Sequence, residues 1–232
     1  MATEIGQNYS QTTASLREAC RKAGRSLEDV RLIAVSKTFP ADSVEQVYRL
    51  GQRLFGENRA QELTEKYPLL PKDIEWHFIG RLQRNKVKYI IDKAAMIHSV
   101  DSLDLAKEIS RQALLKQAEM PILLEVNLEG EGTKAGFGAA GLRRMVEDIA
   151  ALPALKIQGL MTIGPYHDDP ENSRPLFRRM KDLKDEAASW SVPGTEIRYL
   201  SMGMSHDFTV AIEEGADYVR VGSAIFGLRT KI

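Results

Sequence analysis

Short apolar runs that end in a polar residue alternate with amphipathic stretches along the chain, and each such pair reads as a strand followed by a helix. The first run, Leu32-Ile33-Ala34-Val35-Ser36-Lys37, has strand character and stops at a lysine. Behind it Val44, Val47 and Leu50 recur three apart, Ser43 to Gln46 has the form of a capping box, and Gly51 ends the helix. The same grammar predicts strands at 54–58, 76–80, 96–100, 122–127, 159–163, 197–201 and 218–222. Helical stripes fall between them: 59–66; Val87, Ile90 and Ile91; Leu103, Ala106, Ile109 and Ala113; Leu142, Met145, Val146 and Ile149; Leu176, Met180, Leu183, Ala187 and Trp190; and 205–214. Upstream, Ile5, Tyr9, Leu16, Ala19, Cys20 and Ala23 predict a further helix over about 3–23, stopped by Gly24.

Eight strands alternating with helices at intervals of roughly thirty residues predict an α/β fold, a single (β/α)8 TIM barrel over about 31–228 with an extra N-terminal helix. All of 1–232 is then one domain. An open doubly wound sheet is the alternative. In such barrels the chemistry sits at the C-terminal strand ends, which here carry Lys37, Asn58, His77, Asn127, Met161, Ser201, Arg220 and Ser223.

Composition narrows the function. Lysines plus arginines equal aspartates plus glutamates at 32 each, with no run of one sign, so no nucleic-acid partner is expected. One cysteine, Cys20, and four scattered histidines give neither a disulfide framework nor a metal-ligand cluster. The start Met1-Ala2-Thr3-Glu4 lacks the pattern of a signal peptide, and no apolar run reaches membrane-spanning length. A cytoplasmic protein without a membrane partner is expected.

A lysine where a buried strand empties into a loop is a candidate for Schiff-base chemistry, because desolvation favours the neutral, nucleophilic amine. From this stretch alone the plainer reading is a solvated strand end. Ser201-Met202-Gly203-Met204-Ser205 and Gly222-Ser223-Ala224 place small residues and hydroxyls after the last two strands, where (β/α)8 barrels commonly bind phosphate. They also read as tight turns, with Ser205 capping the next helix. Together the two ends suggest pyridoxal phosphate across the barrel mouth, its aldehyde toward Lys37 and its phosphate toward Ser201 and Ser223.

Ala34-Val35-Ser36-Lys37-Thr38, Phe55-Gly56-Glu57-Asn58, Trp76-His77-Phe78-Ile79-Gly80 with Leu82-Gln83 and Asn85-Lys86, Gly132-Thr133-Lys134-Ala135-Gly136, Gly159-Leu160-Met161, Leu200 to Ser205 and Val219 to Gly227 resemble the pyridoxal-phosphate homeostasis proteins (YggS/PROSC type) over nearly the whole chain. The resemblance implies a fold-type III barrel like the N-terminal domain of alanine racemase. It implies an internal aldimine (Schiff base) on Lys37, phosphate contacts from Ser201, Gly222 and Ser223, and Arg220 facing the pyridine nitrogen. Asn58 and Met161 would border the ring. It further implies a role in vitamin B6 homeostasis without catalytic turnover, apo-enzymes as recipients of the cofactor, and no catalytic residues. The tyrosine that racemases take from a second domain has no counterpart, which also leads to the expectation of a monomer. A weak pyridoxal-phosphate-dependent racemase is the alternative, and a cofactor-free Schiff-base lyase acting on a sugar phosphate is the third reading.

Three lesser signals remain. Gly136 to Gly141 spells G-x-G-x-x-G, but the preceding strand ends several residues too early and no acidic residue ends the next one, so a dinucleotide site is not expected. His77 reads as a hydrogen-bonded barrel residue rather than a general base. Asn58 either contacts the ring or caps the next helix, with Gln61 at capping-box spacing.

Overall fold

The computed structural model describes residues 3–128 and 136–228. Of the motifs named above, Gly132 to Ala135 lies outside the described residues. Eight parallel strands close on themselves in chain order: β1 (Arg31–Val35), β2 (Leu54–Glu57), β3 (Glu75–Phe78), β4 (Ala94–Val100), β5 (Met120–Glu125), β6 (Leu155–Met161), β7 (Thr195–Met204) and β8 (Tyr218–Val221). β8 pairs with β1 through Arg31↔Tyr218 to Ala34↔Val221, and that pairing excludes the open sheet.

Period-two alternation explains why strands so short can close a barrel. On β1, Leu32 and Ala34 face the outer helices, whereas Ile33 and Val35 belong to the inner cluster with Leu54, Met96, Leu123, Met161 and Tyr218. Gly56 has no room for a side chain: a Cβ there would meet Ile33 at 2.7 Å.

The helices form the outer layer: α1 (Glu4–Lys22), α2 (Ala41–Arg49), α3 (Ala60–Lys66), α4 (Val87–Ile90), α5 (Leu103–Leu115), α6 (Leu142–Ala150), α7 (Arg174–Ser189), α8 (Phe208–Glu213) and α9 (Ser223–Phe226). Because α9 has only four residues, it cannot cover the seam between β8 and β1. α1 does so, packing on α8, α9 and α2 and burying Leu16, Ala19 and Cys20. The N-terminal helix is therefore a working member of the outer ring.

Local details depart from the sequence reading. α2 starts at Ala41 after Pro40, so Ser43 lies inside the helix, buried, and forms no capping box. β6 begins at Leu155, four residues before its apolar run, and β7 continues to Met204. The G-x-G-x-x-G stretch folds back beside β5, with the Phe137 N–H donating to Glu125 O at 2.8 Å and the Asn127 N–H to Phe137 O at 3.0 Å.

Candidate functional site

Lys37 follows β1 at the C-terminal mouth of the barrel and continues the inward series Ile33, Val35. Its neighbours are held from behind by a buried ionic cluster. The Ser36 hydroxyl donates to Glu57 Oε1 at 2.7 Å, and Lys66 Nζ donates to the same oxygen at 2.6 Å and to the Ser36 carbonyl at 2.8 Å. On the other side of Lys37, the Thr38 N–H donates to Glu62 Oε2 at 2.6 Å. Thr38 has φ +71°, a left-handed conformation that costs a non-glycine residue about 1–2 kcal/mol. The clamp on both sides of Lys37 holds that turn in place. Burial pushes the Glu57 carboxyl up, while Lys66 and Ser36 pull it back toward the carboxylate.

Lys37 opens into a cavity of about 410 Å³ that Val35, Asn58, Gly80, Arg220, Gly222 and Ser223 also line. A volume of this size falls within the usual range for small-molecule sites. A wider cleft of about 1140 Å³ adjoins it at Asn58 and carries Arg59, Arg81, Arg84 and Lys86. Arg59 and Arg84 there are largely exposed, with loose ion pairs to Glu62 and Asp104 at 3.8 and 3.6 Å. The amine, the buried cation and the small-residue turn converge only in the smaller cavity.

Arg220 projects inward from β8 and is buried. Its Nη1 donates to Ser201 Oγ at 2.6 Å and its Nη2 to the Thr162 carbonyl at 2.8 Å. Desolvation lowers its pKa to about 10, with Glu125 and Asp207 acting the other way, so the guanidinium is a cation at neutral pH. Gly222 then lets β8 pass close to β1, since a Cβ there would lie 3.2 Å from Val35 O. This brings Ser223 to the lysine's cavity.

The two remaining serines exchange expectations. Ser201 is not among the residues lining the cavity: its hydroxyl is buried in the barrel, held between Arg220 and His98. Ser205 does not cap α8, which begins three residues later behind Asp207. Instead Ser205 Oγ accepts from the Gly222 N–H at 3.0 Å and the Ala224 N–H at 3.4 Å, and it lines the cavity. The doublet of serines in one stretch was visible in the sequence, but the extra length of β7 that sorts them was not.

Asn58 does not cap α3, whose cap position is Arg59. Its Oδ1 is buried with no hydrogen-bond partner among the described residues, beside Gly80, where a Cβ would collide with Asn58. Met161 is wholly buried in the inner cluster and does not line the cavity. His77 and Asn127 also lie outside it. Tyr166, His167 and Asp207, which sequence reasoning missed, do line it; Tyr166 and His167 come from the long loop after β6, which carries no periodic signal.

Below Arg220 two imidazoles lie in series. His98 Nδ1 is 3.0 Å from Ser201 Oγ, and His98 Nε2 is 2.8 Å from His77 Nδ1. Desolvation drives both below the ordinary histidine range, His77 to about 3, so both are neutral. No group of histidine, cysteine and acidic side chains able to hold a metal ion occurs among the described residues. None of the described helices is long and apolar enough to cross a membrane.

Residues 12–230 match the family model of the alanine racemase N-terminal domain. A pyridoxal phosphate homeostasis protein of Aquifex aeolicus is 44% identical over 225 residues, covering 96% of this chain and 97% of that one. PipY of Synechococcus elongatus, solved with PLP bound, superimposes with a TM-score of 0.81 at 35% identity, covering 92% of this chain and 100% of its own. The alanine racemase of Corynebacterium glutamicum, at 18% identity and a TM-score of 0.69, shares the fold, with 61% of its length covered. With the barrel, the strand-end lysine and these full-length matches in agreement, the chain belongs to the pyridoxal phosphate homeostasis protein family, built on the domain that opens alanine racemases.

Proposed function

We propose that this chain, as one cytoplasmic, monomeric barrel domain, holds pyridoxal phosphate at the barrel mouth and yields it to apo-enzymes without turnover of its own. The carrying observation is the convergence of Lys37, the buried Arg220 cation and the Gly222–Ser223 turn in one cavity of about 410 Å³ built from a single chain. The residues fit the group: the orphaned Asn58 Oδ1 is an acceptor in search of a donor, and the small rim admits a phosphate. When bound, the cofactor supplies an aldehyde that an amine captures reversibly. Lys37 would be that amine, and Gly222, Ser223 and Ser205 would border the phosphate. Ser201 and Met161 would support the site from beneath. Arg220, a cation facing the pyridine nitrogen, would oppose ring protonation and so weaken the electron sink that carbanion chemistry requires. The single buried cysteine accords with a reducing compartment.

A weak racemase is the second reading, favoured by Tyr166 and His167 at the cavity wall. Against it, Tyr166 is 72% exposed and its ring packs on His206 at 5.1 Å, a wet position for proton transfer at a substrate carbon. The test is the visible spectrum of the purified protein incubated with pyridoxal phosphate, before and after borohydride, beside Lys37→Ala. A visible band that borohydride removes, leaving the added mass on Lys37 and absent from the variant, is the expected result. No uptake by the wild-type protein would overturn the reading. Inversion of alanine or another small amino acid by the loaded protein would replace the carrier with the racemase, and reactivation of an apo-enzyme by the loaded protein would support the carrier.

A further inference from the structure

The barrel interior is apolar where Ile33, Leu54, Met96, Leu123 and Met161 fill it, yet a polar file runs through its centre from Arg220 to Tyr218. Arg220 Nη1 meets Ser201 Oγ at 2.6 Å, Ser201 Oγ meets His98 Nδ1 at 3.0 Å, and His98 Nε2 meets His77 Nδ1 at 2.8 Å. The His77 and His98 rings both lie against the Tyr218 ring, with centroids 5.4 and 5.3 Å away. All of this is dry: Ser201 and His98 are fully buried and His77 nearly so.

Proton counting orders the file. A guanidinium only donates, so Ser201 accepts from Arg220 and has one proton of its own to place. Given to His98 Nδ1, that proton requires His98 to carry its hydrogen on Nε2 and donate to His77 Nδ1. The opposite direction makes Ser201 accept twice and leaves its buried hydroxyl proton without an acceptor in the file, at a cost of about 1–3 kcal/mol. The donors therefore point away from the cavity, and each bond polarises the next.

That direction suits a buried cation that no carboxylate among the described residues touches. Neither of its hydrogen bonds, to Ser201 Oγ and the Thr162 carbonyl, is ionic, and Glu125 and Asp207 act on it through charge without an ion pair among the described residues. A serine that donates to an imidazole is a better acceptor for Arg220 than a serine alone. Resting on the cofactor reading above, we infer that His98 is a positioning residue: through Ser201 it fixes the Arg220 guanidinium toward the cofactor's ring nitrogen and stabilises its charge without neutralising it. His77 holds His98 in the required tautomer. A carboxylate in the place of Ser201 would pair with Arg220 and spend its charge inside the barrel.

The test begins on protein without cofactor. Long-range ¹H–¹⁵N spectra of histidine-labelled protein, assigned with His98→Asn, should show His98 neutral and protonated at Nε2 through neutral pH; protonation at Nδ1 overturns the inference. The second arm uses pyridoxal phosphate labelled with ¹⁵N in the ring. In the wild type the ring nitrogen should resonate as unprotonated at pH 7. In His98→Leu, and in Ser201→Ala should His98→Leu fail to fold, its signal should move toward the protonated position, with roughly tenfold weaker retention of the cofactor. His98→Asn, which restores an acceptor for Ser201, should return it. A wild type that takes up no cofactor sinks the carrier reading and leaves the tautomer to decide the file. A loaded wild type whose ring signal is unchanged in both variants sinks the positioning role alone.

Discussion

Lys37 owes its placement to residues that do not touch the cavity. Lys66 and Glu57 share a buried hydrogen bond, and Glu57 Oε2 has no partner among the described residues, so the carboxylate depends on Lys66 for its charge. Lys66→Met should therefore cost about 3–5 kcal/mol, the usual penalty for removing one member of a buried pair. Glu57→Gln combined with Lys66→Met should recover most of that stability but not the grip on the Ser36 carbonyl, so cofactor capture should stay slow in the double variant. Urea denaturation reads the first effect and stopped-flow absorbance the second; a Lys66→Met protein within 1 kcal/mol of wild type would show that the clamp contributes little. At this scale the sequence exposed Lys37, Arg220, Gly222 and Ser223, because a polar or small residue ending an apolar strand is visible in one dimension. It hid the clamp, since Glu57 reads as a polar strand end and Lys66 as an ordinary last-turn lysine. His98 stayed among the scattered histidines, although a period of two along β4 sets it on the same inward face as Met96.

α1 is the element whose role changed most between sequence and structure. Its apolar stripe was legible, and a helix preceding the first strand could have packed anywhere on the barrel wall. The shortness of α9 decides the matter, leaving a gap that α1 fills over the seam between β8 and β1. Thr12 Oγ1 also donates to the Ala224 carbonyl at 3.4 Å, so the helix braces α9, whose first residue, Ser223, lines the cavity. Leu16→Ala should cost about 2–5 kcal/mol as a buried leucine deletion, measured by thermal or urea unfolding. The buried Cys20 thiol, pushed up by desolvation, reports the same packing: it should label slowly with a thiol reagent in the native protein and faster in Leu16→Ala. Equal labelling rates would mean that α1 opens independently of Leu16. Other boundaries were missed for related reasons. Ser43 to Gln46 looked like a capping box because its letters fit, but Pro40 already fixes the chain for helix entry two residues before Asp42. β6 and β7 carry register shifts at Ile157/Gly159 and Ser201/Met204, so their pairing outruns the apolar runs that announced them.

For the whole molecule, the sequence announced closure through eight repeats of one unit, whereas the polar axis of the barrel emerges only when inward positions from β3, β4, β7 and β8 are superposed. That axis makes stability depend on pH in a definable direction. An exposed histidine in the unfolded chain titrates near 6.5, while His77 in the fold titrates at about 3, its desolvation reinforced by the charge of Arg31. Between those values the unfolded chain binds more protons, so stability falls as pH falls, and it is fully present above about 6.5. From His77 alone the loss between pH 7 and pH 5 is about 2 kcal/mol, and His98 acts in the same direction. Glu57, Glu125 and Asp217 oppose it, because burial raises their folded values and acid relieves the penalty of keeping them charged. The wild-type profile alone therefore mixes two signs. Subtracting a His77→Leu profile removes the carboxylates, which both proteins share, and the variant should lose about 2 kcal/mol less than wild type across that interval in parallel urea titrations. Profiles that run parallel from pH 7 to pH 5 would mean that His77 is solvated and that the barrel's centre is wet, since only a dry centre holds a neutral imidazole against that much acid.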